Sequence, residues 1–566
     1  MASMKLRIES SIHTASMPES HPLRPKGERS LDHPLIYTGL FAIVWILPGL
    51  IGHDPWKPDE AYSIGLITHI LQTGHWVVPT ILGEPFLQNP PLFPLTAAAS
   101  AKLFGAVLPL HDAARLTSGF YVAVALVAVG AAARELLGEG NGWLTVLALL
   151  GSLGLAPPVH TLIGDVAQLA GFAVALYGLA LALRRAVWGG IWLGIGAGMA
   201  FLSKGILGPC ALGLAVILLP LVAPAWRSRR HLLTLLAAAV AVIPWLCIWP
   251  ALLYQQSPSL FNEWLSGSSM LERIVGRPWM TWPIGLGYYL SVLPWFAFPA
   301  LPLAVWGVWS RRKEILARPA IILPLVVTVT TLLVLALGRT RREVFALPLL
   351  VPLAVLAIPG LLELRRGAAN AFWWFSALFG SFMLAMAWFE FSALELGVPA
   401  ARHRHWMRLQ PGYDQSVTWP TVAAALGLTA LWVWLLIRAW RSADRPLVAW
   451  SGGVCIVWAV ALLMFLDYVD TGKSYRLVAM SIARHVPSHA CVSSRDVGLP
   501  QRVLLDYYTG IKTARFVPGA RASNCETLLV QGTRASMFQP GSGWKTVWEG
   551  ARPGDRKELL RLYRRG

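Results

Sequence analysis

The sequence predicts a polytopic α-helical membrane protein that ends in a small soluble α/β domain. Three observations predict it. The 566 residues are 55% hydrophobic and only 14% charged, outside the range of soluble globular proteins. Apolar runs of about 17–25 residues, the length a helix needs to cross the hydrocarbon, recur along most of the chain. Twenty-seven tryptophans fit the aromatic belts found where spans leave a membrane.

About thirteen spans are expected, near residues 36–52, 112–133, 141–156, 160–184, 187–203, 205–223, 231–253, 284–309, 319–338, 343–362, 369–391, 417–440 and 446–468. Residues 1–34 are polar and read as a cytoplasmic tail, without the small-residue cleavage site of a signal peptide. With the N-terminus inside, the short loops carrying Arg134, Arg184, Arg185, Arg227, Arg229, Arg230, Arg311, Arg312, Lys313, Arg318, Arg365, Arg366, Arg438, Arg441 and Arg445 all fall inside as well. The net charge of +19 is then largely topological, and no nucleic-acid partner is expected. Lys204, the run Arg339–Arg342, and Arg402–His405 with Arg408 break the rule by falling outside. Cations placed against the topology are candidates for binding anions.

The membrane module is expected to cover residues 35–469. Its first outer loop, 53–111, holds two amphipathic stretches, 59–73 and 91–105, that suit interfacial helices. A second outer loop spans 254–283, and a third, 392–416, is short and basic. From residue 470 to 566 the composition is that of a small α/β domain on the periplasmic side. Helices are expected at Val478–His485 and Arg502–Tyr508, and strands at Ala490–Ser494, Thr527–Gln531, Lys545–Trp548 and Leu559–Tyr563. This tail carries sixteen Lys and Arg against seven Asp and Glu, which favours an anionic leaflet surface. Cys491 and Cys525 are its only cysteines and are candidates for a disulfide in an oxidising compartment.

Several signals are missing. No D-x-D metal clamp, HExxH or CxxC occurs, and Gly472-Lys473-Ser474 lacks the leading glycine of a phosphate loop. Neither a metal nor a cofactor is expected, and a soluble nucleotide donor is disfavoured. The outer-face polar groups are instead Asp59 and Glu60 in the first loop, Asp165 in TLIGDVAQ, Lys204 in FLSKG, Arg273, and Arg339, Arg341, Arg342 and Glu343. Carboxylates and cations at one depth suit transfer from a lipid phosphate. A carboxylate orients or deprotonates the acceptor, and Lys or Arg holds the leaving phosphate.

At this point the chain resembles the lipid-carrier-dependent membrane glycosyltransferases of the GT-C fold, in the group of the protein O-mannosyltransferases and the lipid A aminoarabinose transferases. The resemblance rests on DEAYSIG, GHWVVPTILGEPF at 74–86, NPPL at 89–92, KLFG at 102–105, AARL at 113–116, FLSKG at 201–205, RPW, and RREVFALP at 341–348. It implies an inverting transferase of a bacterial inner membrane, with a polyprenyl-phosphate-linked sugar as donor and a membrane lipid, glycan or protein as acceptor. Asp59 matches the family's catalytic first-loop Asp, Glu60 its neighbour, and Asp165 a second carboxylate. Lys204, Arg273, Arg339 and Arg342 match positions near the donor phosphate. Gln88 and Asn89, with Glu343, fall on the acceptor side. The aminoarabinose transferases usually read E-K-P-P where this chain has Gln88-Asn89-Pro90-Pro91. The lost acid makes a metal there doubtful, and the lost lysine implies an acceptor less anionic than lipid A phosphate. A transporter of lipid-linked sugars is the alternative reading, although neither an internal repeat nor a charged mid-span cluster supports it. A scaffold reading leaves the ordered first-loop block without a purpose.

Overall fold

Apolar stretches that cannot satisfy their backbone groups in lipid must form helices, and most of the chain does so. The computed structural model describes residues 34–266, 278–338, 340–440, 442–487, 490–516, 525–555 and 557–566. In order, the helices are α1 (Pro34–Ile46), α2 (Asp59–Thr73), α3 (Leu92–Phe104), α4 (Leu110–Leu137), α5 (Gly142–Leu150), α6 (Ala156–Val159), α7 (Asp165–Ala182), α8 (Ala186–Lys204), α9 (Leu207–Val222), α10 (Arg229–Gln256) and α11 (Pro258–Ser266). They continue with α12 (Pro278–Phe296), α13 (Ala300–Ser310), α14 (Pro319–Ala336), α15 (Leu347–Leu362), α16 (Arg366–Glu395), α17 (Ala400–Leu409), α18 (Trp419–Ala439) and α19 (Arg445–Lys473).

Among the described residues, nine helices are long and apolar enough to cross a membrane, or up to eleven if each of two bent pairs is one span. Each of the expected spans falls on one of these, on a bent pair, or on the shorter apolar helices α1 and α9. The bends are where the sequence reading differs from the structure. The run at 141–156 breaks by 65° after Leu150, at Gly151-Ser152, and the run at 284–309 by 103° before Ala300, where Pro299 has no N–H to donate. The amphipathic stretches of the first loop are the helices α2 and α3.

α7 and α8 form a close antiparallel hairpin. Gly171, Gly178, Gly189 and Gly196 remove side chains where the two backbones meet, and Gly190 and Gly194 do the same against the backbone of α10. A Cβ at Gly171 would lie 2.7 Å from the Gly196 carbonyl oxygen. This hairpin carries Asp165 at the start of one arm and Lys204 at the end of the other.

The C-terminal part is a five-stranded sheet. Its strands are β3 (Val492–Arg495), β4 (Thr513–Arg515), β5 (Thr527–Gly532), β6 (Trp544–Gly550) and β7 (Leu559–Arg565), following β1 (Thr80–Ile81) and β2 (Glu84–Pro85) of a hairpin in the first loop. The order is β4-β3-β5-β7-β6, with β3 parallel to β4 and β5 and the remaining pairs antiparallel. Helices α20 (Arg476–Ala483) and α21 (Leu499–Thr509) cover one face through Val478, Ile482 and Leu505. The expected elements are all present. The three-residue edge strand β4 is the one the sequence did not signal. Cys491 and Cys525 are bonded, with Cα atoms 5.1 Å apart.

Gly196→Val should drive a branched side chain into the α7 backbone and lower stability by about 1–3 kcal/mol, the cost of overpacking. Gly213→Val, where a Cβ meets nothing within 4 Å, should shift the thermal midpoint in detergent far less.

Candidate active site

The loop before α2 is organised by Arg115, a charged side chain with no exposed surface. Its Nε donates to Glu60 Oε1 at 3.1 Å, and Nη1 donates to Asp112 Oδ1 at 2.7 Å and to the Leu50 carbonyl at 3.3 Å. Nη2 donates to the His53 carbonyl at 3.1 Å. Glu60 Oε1 also accepts the Leu162 amide and Oε2 the Trp56 amide, at 2.9 and 2.8 Å. Asp112 Oδ2 accepts the Gly52 amide at 3.1 Å. A buried guanidinium with two carboxylates is tolerated because nearly every donor is spent. The result pins residues 50–60 to α4 and to the connection between α6 and α7. Burial also depresses the His53 imidazole below its ordinary pKa, with the nearby Arg115 charge adding to the effect, so the ring stays neutral inside this cage.

Asp59 and Glu60 are neighbours on a helix, so their side chains diverge by about 100°. Glu60 turns into the Arg115 cage, and Asp59 turns to a pocket. That pocket holds about 420 Å³ of atom-free space, part of it open to solvent. Its chemistry comes from Asp59, Tyr62, Ser63, Asn89, Asp165 and Lys204, over a floor of Pro90, Phe93 and Ile163. Arg342 grips both oxygens of Asp59, Nη1 to Oδ1 at 2.9 Å, and this bond with the Asp59 charge raises the Arg342 pKa. Lys204 Nζ lies 2.8 Å from Asp165 Oδ2. Asp165 is buried, and its Oδ1 has no hydrogen-bond partner among the described residues. An unpaired buried acceptor beside a cavity is available to a donor group of a ligand. The Tyr62 hydroxyl, its pKa raised by burial and then by the Asp59 charge, stays a proton donor.

Behind Lys204 a second cavity of about 430 Å³ is lined by Leu207, Tyr289, Leu335 and Phe345, with Gln168 and Thr340. Lys204 belongs to both cavities. The Phe345 ring sits between the cations, 5.9 Å from Lys204 Nζ and 5.9 Å from Arg342 Cζ. A polar chamber and a largely apolar groove thus share one cation, Lys204.

Two solved structures of ArnT from Cupriavidus metallidurans, one bound to undecaprenyl phosphate and one in the apo state, superpose with TM-scores of 0.66 and 0.69. Each match covers 93% of this chain and 97% of the other, at 17% and 16% identity. The fold is GT-C. Residues 88–249 match the family model of the dolichyl-phosphate-mannose-protein mannosyltransferases. Several sequence relatives are named undecaprenyl phosphate-alpha-4-amino-4-deoxy-L-arabinose arabinosyl transferase. That of Pseudomonas aeruginosa (strain UCBPP-PA14) is 26% identical over 76% of this chain and 74% of its own length. That of Pectobacterium carotovorum is 29% identical over 66% of each chain. The matches to the Pseudomonas savastanoi and Aeromonas salmonicida relatives span 62% and 64% of those proteins. This GT-C chain is therefore similar to the protein mannosyltransferases and to the aminoarabinose transferases. None of the relatives named here is a transporter, and that alternative is left without support.

Within the GT-C frame, Asp59, Asp165, Lys204 and Arg342 come together, and Asn89 joins them. Gln88 is exposed and does not line the chamber, and Glu343 is exposed at the start of a turn leading into α15. Glu60 stands apart from the chamber, enclosed with only 2% of its surface exposed. Arg273 and Arg339 lie outside the described residues. Arg115 and Asp112 were not singled out from the sequence as site residues. The available signal was an arginine one turn into a span, inside the AARL block, where a charge demands a partner.

Arg115→Met would leave Glu60 and Asp112 facing each other without their cation. It should cost about 3–5 kcal/mol, as for other broken buried pairs, seen as a lowered thermal midpoint and faster proteolysis of the first loop. Arg115→Lys, which cannot reach four acceptors from one nitrogen, should recover only part of the loss.

Proposed function

We propose that this protein is an inverting glycosyltransferase that moves a sugar from a polyprenyl-phosphate carrier to an envelope acceptor at the outer face of a bacterial inner membrane. The observation that carries the reading is the meeting at Lys204 of a chamber holding Asp59 and Asp165 with a largely apolar groove. An isoprenoid tail requires an apolar wall, and its phosphate requires cations at the mouth of that wall. A soluble nucleotide sugar requires no such groove. Undecaprenyl phosphate is the carrier in the relatives' names, and we propose the same carrier here.

In the proposed reaction the donor is a phosphodiester with a single negative charge. The acceptor oxygen bonds to the anomeric carbon from the face opposite the phosphate. The bond from that carbon to the phosphate oxygen breaks, and its electron pair leaves with the carrier, now a phosphate monoester. Lys204 and Arg342 stabilise the charge that builds on the leaving group. Asp165 Oδ1 accepts from a hydroxyl or amino group of the sugar. A hydroxyl acceptor gives its proton to Asp59, whereas a phosphate acceptor needs no base and Asp59 then orients it. Because Arg342 engages both Asp59 oxygens, a donor phosphate that takes up the guanidinium leaves the carboxylate open to the acceptor. Glu60 acts through the Arg115 cage as a positioning residue. Asn89, at the chamber wall where the resembling transferases usually carry a lysine, supports an acceptor less anionic than lipid A phosphate. Transfer to lipid A as the sole productive acceptor would refute that part.

We place the membrane module at residues 35–469 and a periplasmic domain at 470–566, with the N-terminus cytoplasmic. The basic short loops support this orientation, and the Cys491–Cys525 bond fits an oxidising compartment.

Asp59→Asn should reduce sugar transfer in membranes by about 10²–10⁴-fold, the usual weight of a general base, with binding of undecaprenyl phosphate to the purified protein retained. Lys204→Gln should weaken that binding instead, by about tenfold or more for a lost charged hydrogen bond. Unchanged transfer by a well-folded Asp59→Asn protein would overturn the assignment.

A further inference from the structure

The basic run Arg402–His405 with Arg408 is not used by the candidate active site. It forms α17, a ten-residue helix in the connection between α16 and α18, both long and apolar enough to cross a membrane. The helix therefore lies where the chain leaves and re-enters the lipid. One side is tied down. Arg402 and the Trp406 indole both donate to Glu390 on α16, with Arg402 Nε 2.9 Å from Oε1 and Trp406 Nε1 2.8 Å from Oε2. His403 Nδ1 lies 2.9 Å from the Ala393 carbonyl, and Gln410 Nε2 donates to the Tyr468 carbonyl on α19 at 2.8 Å. The same end of α19 presents Asp470 to the Trp56 indole at 2.8 Å. So α17 sits on the membrane face that carries the Asp59 chamber.

The other side is different. Arg404, His405 and Arg408 are exposed, Arg404 and Arg408 one turn apart with His405 beside Arg404, and among the described residues no carboxylate pairs with either arginine. Asp414 is the only acid from residue 396 to 418. The same connection and its flanks expose apolar side chains that water would not favour: Leu396 (63% exposed), Val398 (64%), Leu409 (53%) and Trp419 (75%). Cations and exposed apolar groups on one connection between two spans match a headgroup layer, with phosphates at the level of the guanidinium groups and acyl chains below.

We propose that the outer stripe of α17 is a docking surface for anionic phospholipid, with Arg404 and Arg408 holding headgroup phosphates and Leu396, Val398, Leu409 and Trp419 seated among the acyl chains. Arg402 and His403 are excluded from this role because Glu390 and the α16 backbone already hold them. The surface keeps the α16–α18 end of the molecule at a fixed depth in the leaflet that faces the chamber.

The test uses the full-length protein in a neutral detergent, titrated with phosphatidylglycerol or phosphatidylcholine, and counts bound lipid by native mass spectrometry. Wild type should retain phosphatidylglycerol in preference to phosphatidylcholine. Arg404→Gln with Arg408→Gln should weaken phosphatidylglycerol retention by roughly 25-fold, about fivefold for each surface cation, with an unchanged thermal midpoint. Arg404→Lys with Arg408→Lys, which keeps both charges, should stay near wild type. Equal retention by the Gln variant overturns the proposal. So does displacement of the lipid by millimolar inorganic phosphate, which would mark a small-anion site in place of a lipid surface.

Discussion

Everything at the chamber depends on one buried cation. Arg115 is held by two carboxylates and two carbonyls; both carbonyls lie in the loop that delivers Asp59, and one carboxylate is Glu60 beside it. A guanidinium in this position has no graded behaviour. Either its acceptors surround it, or an ion is left in an apolar interior at a cost of several kcal/mol. The loop between α1 and α2 is irregular backbone, which by itself would sample many paths. The cage selects one of them, and Asp59 follows because it is the residue next to Glu60.

A second set of ties comes from the C-terminal sheet domain. Lys57 pairs with Glu558, and the Tyr475 hydroxyl donates to the same carboxylate. Arg515 pairs with Glu84 on β2 at 2.8 Å, and Asp54 receives Ser474 and Arg476 at 2.6 Å each. Val503 on α21 packs over Gly65 on α2. The first loop is thus gripped from below by α4 and from above by the sheet domain. The domain acts as part of the frame of the chamber, although none of its residues lines either of the two cavities described.

Much of this architecture was legible in the sequence, for a physical reason. Lipid gives a helix no alternative way to satisfy its backbone, so apolar length alone marks the spans, and alternation in the tail marks the strands. Hydropathy does not record breaks in direction, and so the runs at 141–156 and 284–309 each predict a single span although Gly151-Ser152 and Pro299 lie at their bends. The chamber residues Asp59, Asp165 and Lys204, and Arg342 that grips Asp59, are legible as charges at one depth. Their pairing is not, because the partners lie far apart in the chain. Glu60 shows the limit most clearly. Beside Asp59 in sequence it invites the same role, and one residue of helical rotation sends it to the opposite task. Arg115 was hidden by the reverse effect, as a charge inside an apolar helix that only its distant acceptors explain.

The α7–α8 hairpin has a consequence for the shape of the chamber. Its two tips are Asp165 and Lys204, and its arms are pressed together by Gly171, Gly178, Gly189 and Gly196. The pair behaves like the jaw of a caliper locked by screws set well back from the tips. The gap between tips cannot widen without parting backbones that already touch. Any change in the size of a bound group must therefore be taken up by the rest of the lining, where Asn89, Tyr62 and Ser63 sit on a loop and on α2. Adaptation of the chamber to a larger or smaller guest is then a matter of those residues, while the tips keep one spacing.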